Sequence, residues 1–290
     1  MPEEKSRSLN EKPDGGITWL ASYPKSGSTW LRMFLACYQN DGWPINFNHL
    51  PHNMIYADNR DQDYNAVSSY PVDRLTSPET LLLRGAVLLK LLTDSGAGSI
   101  MVKTHHANVT MQSVGLIPPM ITKNAVYIAR DPRDVVISLS KWTGDTIDET
   151  IDVIGNDHSV MHNDRGSAKT VFHYLGNWSK HVKSWMDSSF DVTVIRYERL
   201  HEDPDYIFTE ALQQIGWPVR PKIVTKAVKC VAFAKMQRFE RKNGFSENYG
   251  NTENFFRVGE VGQWEKHLSK KQSSRIIKEH GGIMEKLGYL

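Results

Sequence analysis

Ile17-Thr18-Trp19-Leu20-Ala21-Ser22-Tyr23-Pro24-Lys25-Ser26-Gly27-Ser28-Thr29-Trp30 is the stretch on which the fold turns. Ile17–Ser22 is short, largely apolar and bounded by turn residues, as expected of a strand buried on both faces of a parallel sheet. A helix follows from Thr29 to Tyr38, with Trp30, Phe34 and Tyr38 at steps of four and Leu31 and Leu35 beside them. Between strand and helix, Pro24 stiffens the exit and Gly27 lets the backbone approach a ligand closely. The amides of Ser26–Thr29, the positive end of the helix and the mobile charge of Lys25 make an anion cradle. It is not the common one. Counting from Gly27, the positions where a Walker A motif needs Gly-Lys hold Arg32 and Met33, which disfavours an ordinary ATP or GTP site.

Working outward, Ser99–Lys103, Ala125–Ala129 and Val192–Ile195 repeat the strand signature. Helical patterns separate them at Leu81–Leu92, Pro132–Trp142, Val171–Met186 and Ile207–Ile215, and another closes the chain at Ser273–Leu287. Leu81–Leu92 is interrupted by Arg84 and Lys90 and so reads as a packed amphipathic helix. Strands alternating with helices predict βαβ units: one α/β domain over residues 17–290, a central parallel sheet flanked by helices, with no linker to divide it. Met1–Gly16, rich in Glu, Lys, Ser and Pro, predicts a disordered tail without a signal-peptide core. Asp41–Ser77, Gly144–Ser167 and Phe239–Gly262 fit no regular element and are candidate lids or binding loops.

The strand ends carry the chemistry. After the first comes the Lys25 loop. The second ends in Lys103-Thr104-His105-His106, the third in Arg130-Asp131-Pro132-Arg133-Asp134, and the fourth in Arg196-Tyr197-Glu198. Ligands of open α/β sheets bind outside the carboxyl ends of the strands, so these residues define a polyanion site. Asp131 caps a helix that starts at Pro132, and Arg130 with Ser138 suits a phosphate. The composition sharpens the point. Lys and Arg total 35 against 33 Asp and Glu, a net charge of +2. That is too little excess for a non-specific nucleic-acid binder, so a few placed cations must hold the anion. Cys37 and Cys230 are the only cysteines and support no disulfide framework or cysteine zinc site, which fits a reducing, cytoplasmic compartment. No apolar run reaches membrane-spanning length.

Taken together, these blocks resemble the sulfotransferases that use 3′-phosphoadenosine 5′-phosphosulfate (PAPS), in the branch of cytosolic and bacterial small-molecule enzymes. Tyr23–Trp30 resembles the family's 5′-phosphosulfate loop, Arg130–Ser138 its 3′-phosphate segment, and Arg257-Val258-Gly259-Glu260-Val261-Gly262-Gln263-Trp264 its C-terminal lid. Lys103-Thr104-His105 matches the motif of the catalytic histidine, and Arg196-Tyr197-Glu198 the strand whose tyrosine reaches the adenine. The resemblance implies a P-loop NTPase-like sulfotransferase fold. It implies transfer of a sulfuryl group from PAPS to a hydroxyl or amine of a small acceptor, leaving 3′-phosphoadenosine 5′-phosphate (PAP), with no metal required. By this match Lys25, helped by Ser26, Gly27, Ser28 and Thr29, holds the 5′-phosphate. Arg130, Ser138 and Arg257 clamp the 3′-phosphate beside Gly259, and Trp30, Tyr197 and Phe233 frame the adenine. His105 takes the acceptor's proton and Lys103 supports the transferring group, so Lys25, Lys103, His105 and Ser138 form the catalytic set.

His106 competes with His105, but strand alternation puts Lys103 and His105 on one face and His106 on the other. The chain departs from the pattern at Val258, where the family has Lys, at Gln263, where it has Asp, and at Val231-Ala232-Phe233, which keeps only the Phe. Glu265–Lys270 lacks the family's dimer-contact pattern, leaving oligomeric state open. A nucleotide-dependent kinase and a non-catalytic PAP-binding protein are the competing readings. The acceptor is expected to be walled by Asp41–Ser77, Gly144–Ser167 and Phe239–Asn254. Their Trp43, Phe47, Tyr56, Tyr64, Tyr70, Phe245 and Tyr249 suggest an aromatic-lined pocket for a natural-product alcohol.

Overall fold

The computed structural model describes residues 15–50, 55–162, 170–248 and 253–290; Met1–Asp14 of the expected tail and Tyr249 lie outside them. Five strands form a parallel sheet: β1 (Gly16–Ser22), β2 (Ile55–Ala57), β3 (Ser99–Thr104), β4 (Thr122–Ala129) and β5 (Val192–Arg196), in the order β2-β3-β1-β4-β5. The four expected strands are present. Gly16, assigned to the tail, opens β1, and β2 lies in a stretch read as irregular.

Alternation in the central strands explains the layers. Leu20, Val126 and Ile128 face one core together with α1 (Ser28–Gln39), whereas Ile17, Trp19, Ala21, Ala125, Tyr127 and Ala129 face the other. Chain order then gives α2 (Asp61–Asn65), α3 (Ser77–Asp94), α4 (Pro132–Thr143), α5 (Ile147–Gly155) and α6 (Trp178–Met186). After β5 come α7 (Arg199–Glu202), α8 (Pro204–Ile215), α9 (Pro221–Cys230), α10 (Phe233–Asn243), α11 (Trp264–His267) and α12 (Lys270–Lys286). No helix among the described residues is long and apolar enough to cross a membrane. Cys37 and Cys230, on α1 and α9, are free buried thiols in contact, Sγ to Sγ 2.6 Å.

Two expectations need correction. The helix expected over Val171–Met186 starts only at Trp178. Gly176 adopts φ 62°, which ends any helix before it, and His173–Tyr174 pairs antiparallel with Val160–Met161 instead. Asn177 then caps α6 by accepting from the Lys180 amide at 2.8 Å. Arg84 does not mark the solvent face of α3; it is wholly buried. Its guanidinium donates to Leu116 O at 2.6 Å and to Asp58 Oδ2 at 2.7 Å.

Asp58, just past β2, is the hub of this network. Its Oδ1 accepts a hydrogen bond from His173 Nε2 at 2.8 Å. Burial opposes its ionisation, but Arg84 and His173 outweigh that and hold the carboxyl well below its usual range. Such a network holds the edge strand through these bonds, and removing one member leaves the others unpaired in the core. Asp58→Asn is expected to lower unfolding stability by about 3–5 kcal/mol, because it strands the Arg84 guanidinium in the core. Urea unfolding at pH 7 checks this, and a loss below about 1 kcal/mol would show that the network is energetically idle.

Candidate active site

At the carboxyl ends of the strands lies one cavity of about 530 Å³. Every residue given a catalytic or nucleotide-binding role from sequence lines it except Ser26: Lys25, Gly27, Ser28, Thr29, Trp30, Lys103, His105, Arg130, Ser138, Tyr197, Phe233, Arg257 and Gly259. Ser26 sits behind the loop, its hydroxyl buried without a partner.

The loop after β1 is shaped by Lys25 and Gly27, whose φ values are 66° and 107°. A side chain at Gly27 would collide with the Tyr197 ring, 2.6 Å from where its Cβ would lie. α1 starts without a side-chain cap and without an acidic residue in its first turn. Its leading amides are therefore unneutralised and suited to an anion. The Lys25 ammonium lies 4.3 Å from the centre of the Phe255 ring and 5.5 Å from that of Trp142. Burial first, then the nearby Arg130 and Arg257, pushes its pKa down to about 7. Burial and Arg32 likewise lower Lys103 to about 8.

Arg130 ties three segments together. It donates to Lys25 O at 3.2 Å and to Glu260 O at 3.1 Å, and its guanidinium carbon lies 4.4 Å from the centre of the Tyr197 ring. Asp134, in the first turn of α4, fastens the segment expected as the lid by accepting from the amides of Gly262 at 2.8 Å and Trp264 at 2.9 Å. Trp264 packs on the Arg133 guanidinium at 3.8 Å and does not line the cavity. Gly259, at φ 67°, permits the Phe233 ring to approach within 2.3 Å of where a Cβ would sit.

The two adjacent histidines have different surroundings. His105 lines the cavity, and its Nδ1 lies 2.8 Å from Ser22 O. A carbonyl only accepts, so Nδ1 carries the proton and Nε2 keeps the lone pair. Burial, then Lys103 and His173, lowers its pKa well below the ordinary histidine value, so it is neutral near pH 7. His106 lies outside the cavity; its Nδ1 accepts the Tyr174 amide at 3.0 Å.

Sequence reasoning missed Arg32, Trp142, Glu247 and Phe255, all of which line the cavity. Arg32 and Trp142 had a readable signal, lying four residues beyond Ser28 and Ser138 on helical faces already assigned. Glu247 had none, since it enters through a fork with Arg32 at 2.8 and 2.5 Å across 215 positions. The expected aromatic acceptor wall is also corrected. Trp43 and Tyr70 are 65% and 69% exposed. Phe47, Tyr64 and Phe245 are core residues, and Tyr56 packs against the core. None of them lines the cavity.

The sulfotransferase domain family model matches residues 17–287, and the chain belongs to that family. It is a sulfotransferase. It is 23% identical to cytosolic sulfotransferase 17 of Arabidopsis thaliana, over 92% of this chain and 72% of that one. It is 22% identical to sulfotransferase 1 family member D1 of Rattus norvegicus, over 96% and 86%. Its fold is similar to that of a retinol dehydratase crystallised with androsterone and the inactive cofactor PAP: TM-score 0.60, 19% identity, 92% of this chain and 80% of that one.

The depressed Lys25 pKa is directly measurable. In the ligand-free protein its side-chain Cε and Nζ NMR signals should titrate near pH 7. A midpoint near 10.5 would mean that the amine is solvated rather than enclosed by Phe255, Arg130 and Arg257.

Proposed function

We propose that this chain moves a sulfuryl group from PAPS to a hydroxyl of a small acceptor, with His105 as general base. The observation that carries the reading is the convergence of Lys25, Lys103, Arg130 and Arg257 on one cavity beside a neutral imidazole. The cavity suits such a ligand. Trp30 Nε1 and Arg130 Nε, on residues that line it, are buried donors without a partner among the described residues. The rings of Tyr197 and Phe233 stand against Gly27 and Gly259, where a flat base can lie between aromatic faces. PAP in the retinol dehydratase complex is consistent with this, as are the cytosolic names of the relatives with a cytoplasmic enzyme.

PAPS, when bound, supplies the sulfuryl group and an already good leaving group, so the protein's work is placement and charge stabilisation. The loop amides and Lys25 hold the 5′-phosphate. Lys25 is only partly charged near pH 7 when free, and it regains its proton against an incoming anion. Arg130, Arg257 and Ser138 hold the 3′-phosphate that separates this ligand from ATP. His105 Nε2 accepts the proton of the acceptor hydroxyl as its oxygen bonds to sulfur. Ser22 O, which accepts from Nδ1–H, steadies the imidazolium that results.

Melting curves with PAP and with ADP at equal concentration test the nucleotide assignment. PAP should give clearly the larger shift, and equal shifts would overturn the roles of Arg130, Ser138 and Arg257. His105→Ala should keep PAP binding but lower kcat with PAPS by at least about a hundredfold, the usual contribution of a general base. Unchanged turnover would remove His105 from that role.

A further inference from the structure

The acceptor end of the cavity has its own chemistry. Ala57 pairs with Lys103, so the chain leaving the edge strand β2 runs directly beside the strand end that carries His105. Among the described residues, Asn59, Arg60, Asp61 and Gln62 line the cavity from this segment, with His162 and Glu247 from two further loops. The wall is a built one. Val171 N donates to Asn59 O at 2.8 Å, and Arg60 bridges to Thr170. Arg60 Nε bonds Asp63 Oδ2 at 2.7 Å, and the Arg32–Glu247 fork is fixed at both contacts.

Two properties follow. First, the arginines are balanced in place, Arg32 by Glu247 and Arg60 by Asp63, while Asp61 on the wall opposes a strong anion and Lys103 beside it opposes a strong cation. Second, carboxylates, amides and a guanidinium retain more hydrogen-bonding capacity than their fixed contacts use. An apolar acceptor would strip water from these groups and return no bonds, whereas an acceptor with several hydroxyls replaces that water bond for bond. Phe255 and Met161 add apolar surface against which the C–H face of a ring can rest.

The geometry points to a neutral, polyhydroxylated acceptor, a sugar- or cyclitol-like alcohol, as the substrate class of this site. The inference rests on the sulfotransferase reading and extends it from the reaction to the molecule sulfated. The decisive experiment measures sulfuryl transfer from PAPS to methyl α-glucoside and myo-inositol on one side, and to 2-naphthol and cyclohexanol on the other. The polyols should show kcat/KM at least about tenfold higher, and Asp61→Ala should lower that value at least about tenfold while the melting shift with PAP is unchanged. Preference for the phenol or the simple alcohol, equal rates, or no polyol turnover by protein that binds PAP would overturn the assignment. Absence of any melting shift with PAP would overturn the nucleotide reading beneath it, so the two failures are distinguishable.

Discussion

Like charges held together with only partial neutralisation are the constraint around which this structure is arranged. Lys25, Lys103, Arg130 and Arg257 share one cavity. Among the described residues, neither Lys25 nor Arg257 has an ion-pair partner. Their repulsion is visible in the lowered pKa values of Lys25 and Arg257, where burial and then Arg130 act in the same direction. A folded chain keeps such a cluster only when the surrounding framework over-determines it. Here the framework is a parallel sheet buried on both faces, with every cation at a carboxyl strand end or on a loop tied to one. Arg130 shows the economy of the arrangement. Its guanidinium fastens the Lys25 loop and the Glu260 segment through carbonyls, while the buried Asp134 carboxylate 3.7 Å away balances part of its charge.

With the function proposed above, the strand order becomes a map of the reaction. Read across the sheet, β2 leads into the polar acceptor wall, β3 carries Lys103 and ends at His105, and β1 ends at the phosphate loop. β4 then ends at Arg130, and Tyr197 follows β5. In the proposed function, acceptor, base, sulfuryl group and nucleotide would lie in the order that in-line transfer needs. The near-neutral net charge of +2 does not conflict with polyanion binding, because the positive field is local and partly buried, where a charge acts more strongly than in bulk water.

What could be read from sequence was whatever local pattern decides. The four long strands are continuous apolar runs, and the loop, its helix and the Arg130 segment are contiguous motifs. What escaped was set by distant partners or by signals passed over. β2 is three residues long, and only its register with β3 makes it a strand. Arg84 looked like a solvent-facing interruption because its partner Asp58 lies 26 positions away. Glu247 enters the cavity only through Arg32. α5 is a different case, since Thr146-x-x-Glu149 is a capping box in plain view and the bonds are made, Glu149 N to Thr146 Oγ1 at 3.2 Å and Thr146 N to Glu149 Oε2 at 2.8 Å. The aromatic acceptor wall failed for a simpler reason: composition lists aromatics in a loop but does not say whether they face a cavity, solvent or the core.

The most direct test of the account is a crystal structure of the protein with PAP. The account predicts the 5′-phosphate against the amides of Gly27–Thr29 and the Lys25 ammonium, the 3′-phosphate between Arg130 and Arg257, and the adenine among Trp30, Tyr197 and Phe233. A nucleotide bound elsewhere, or with its 3′-phosphate away from both arginines, would contradict it.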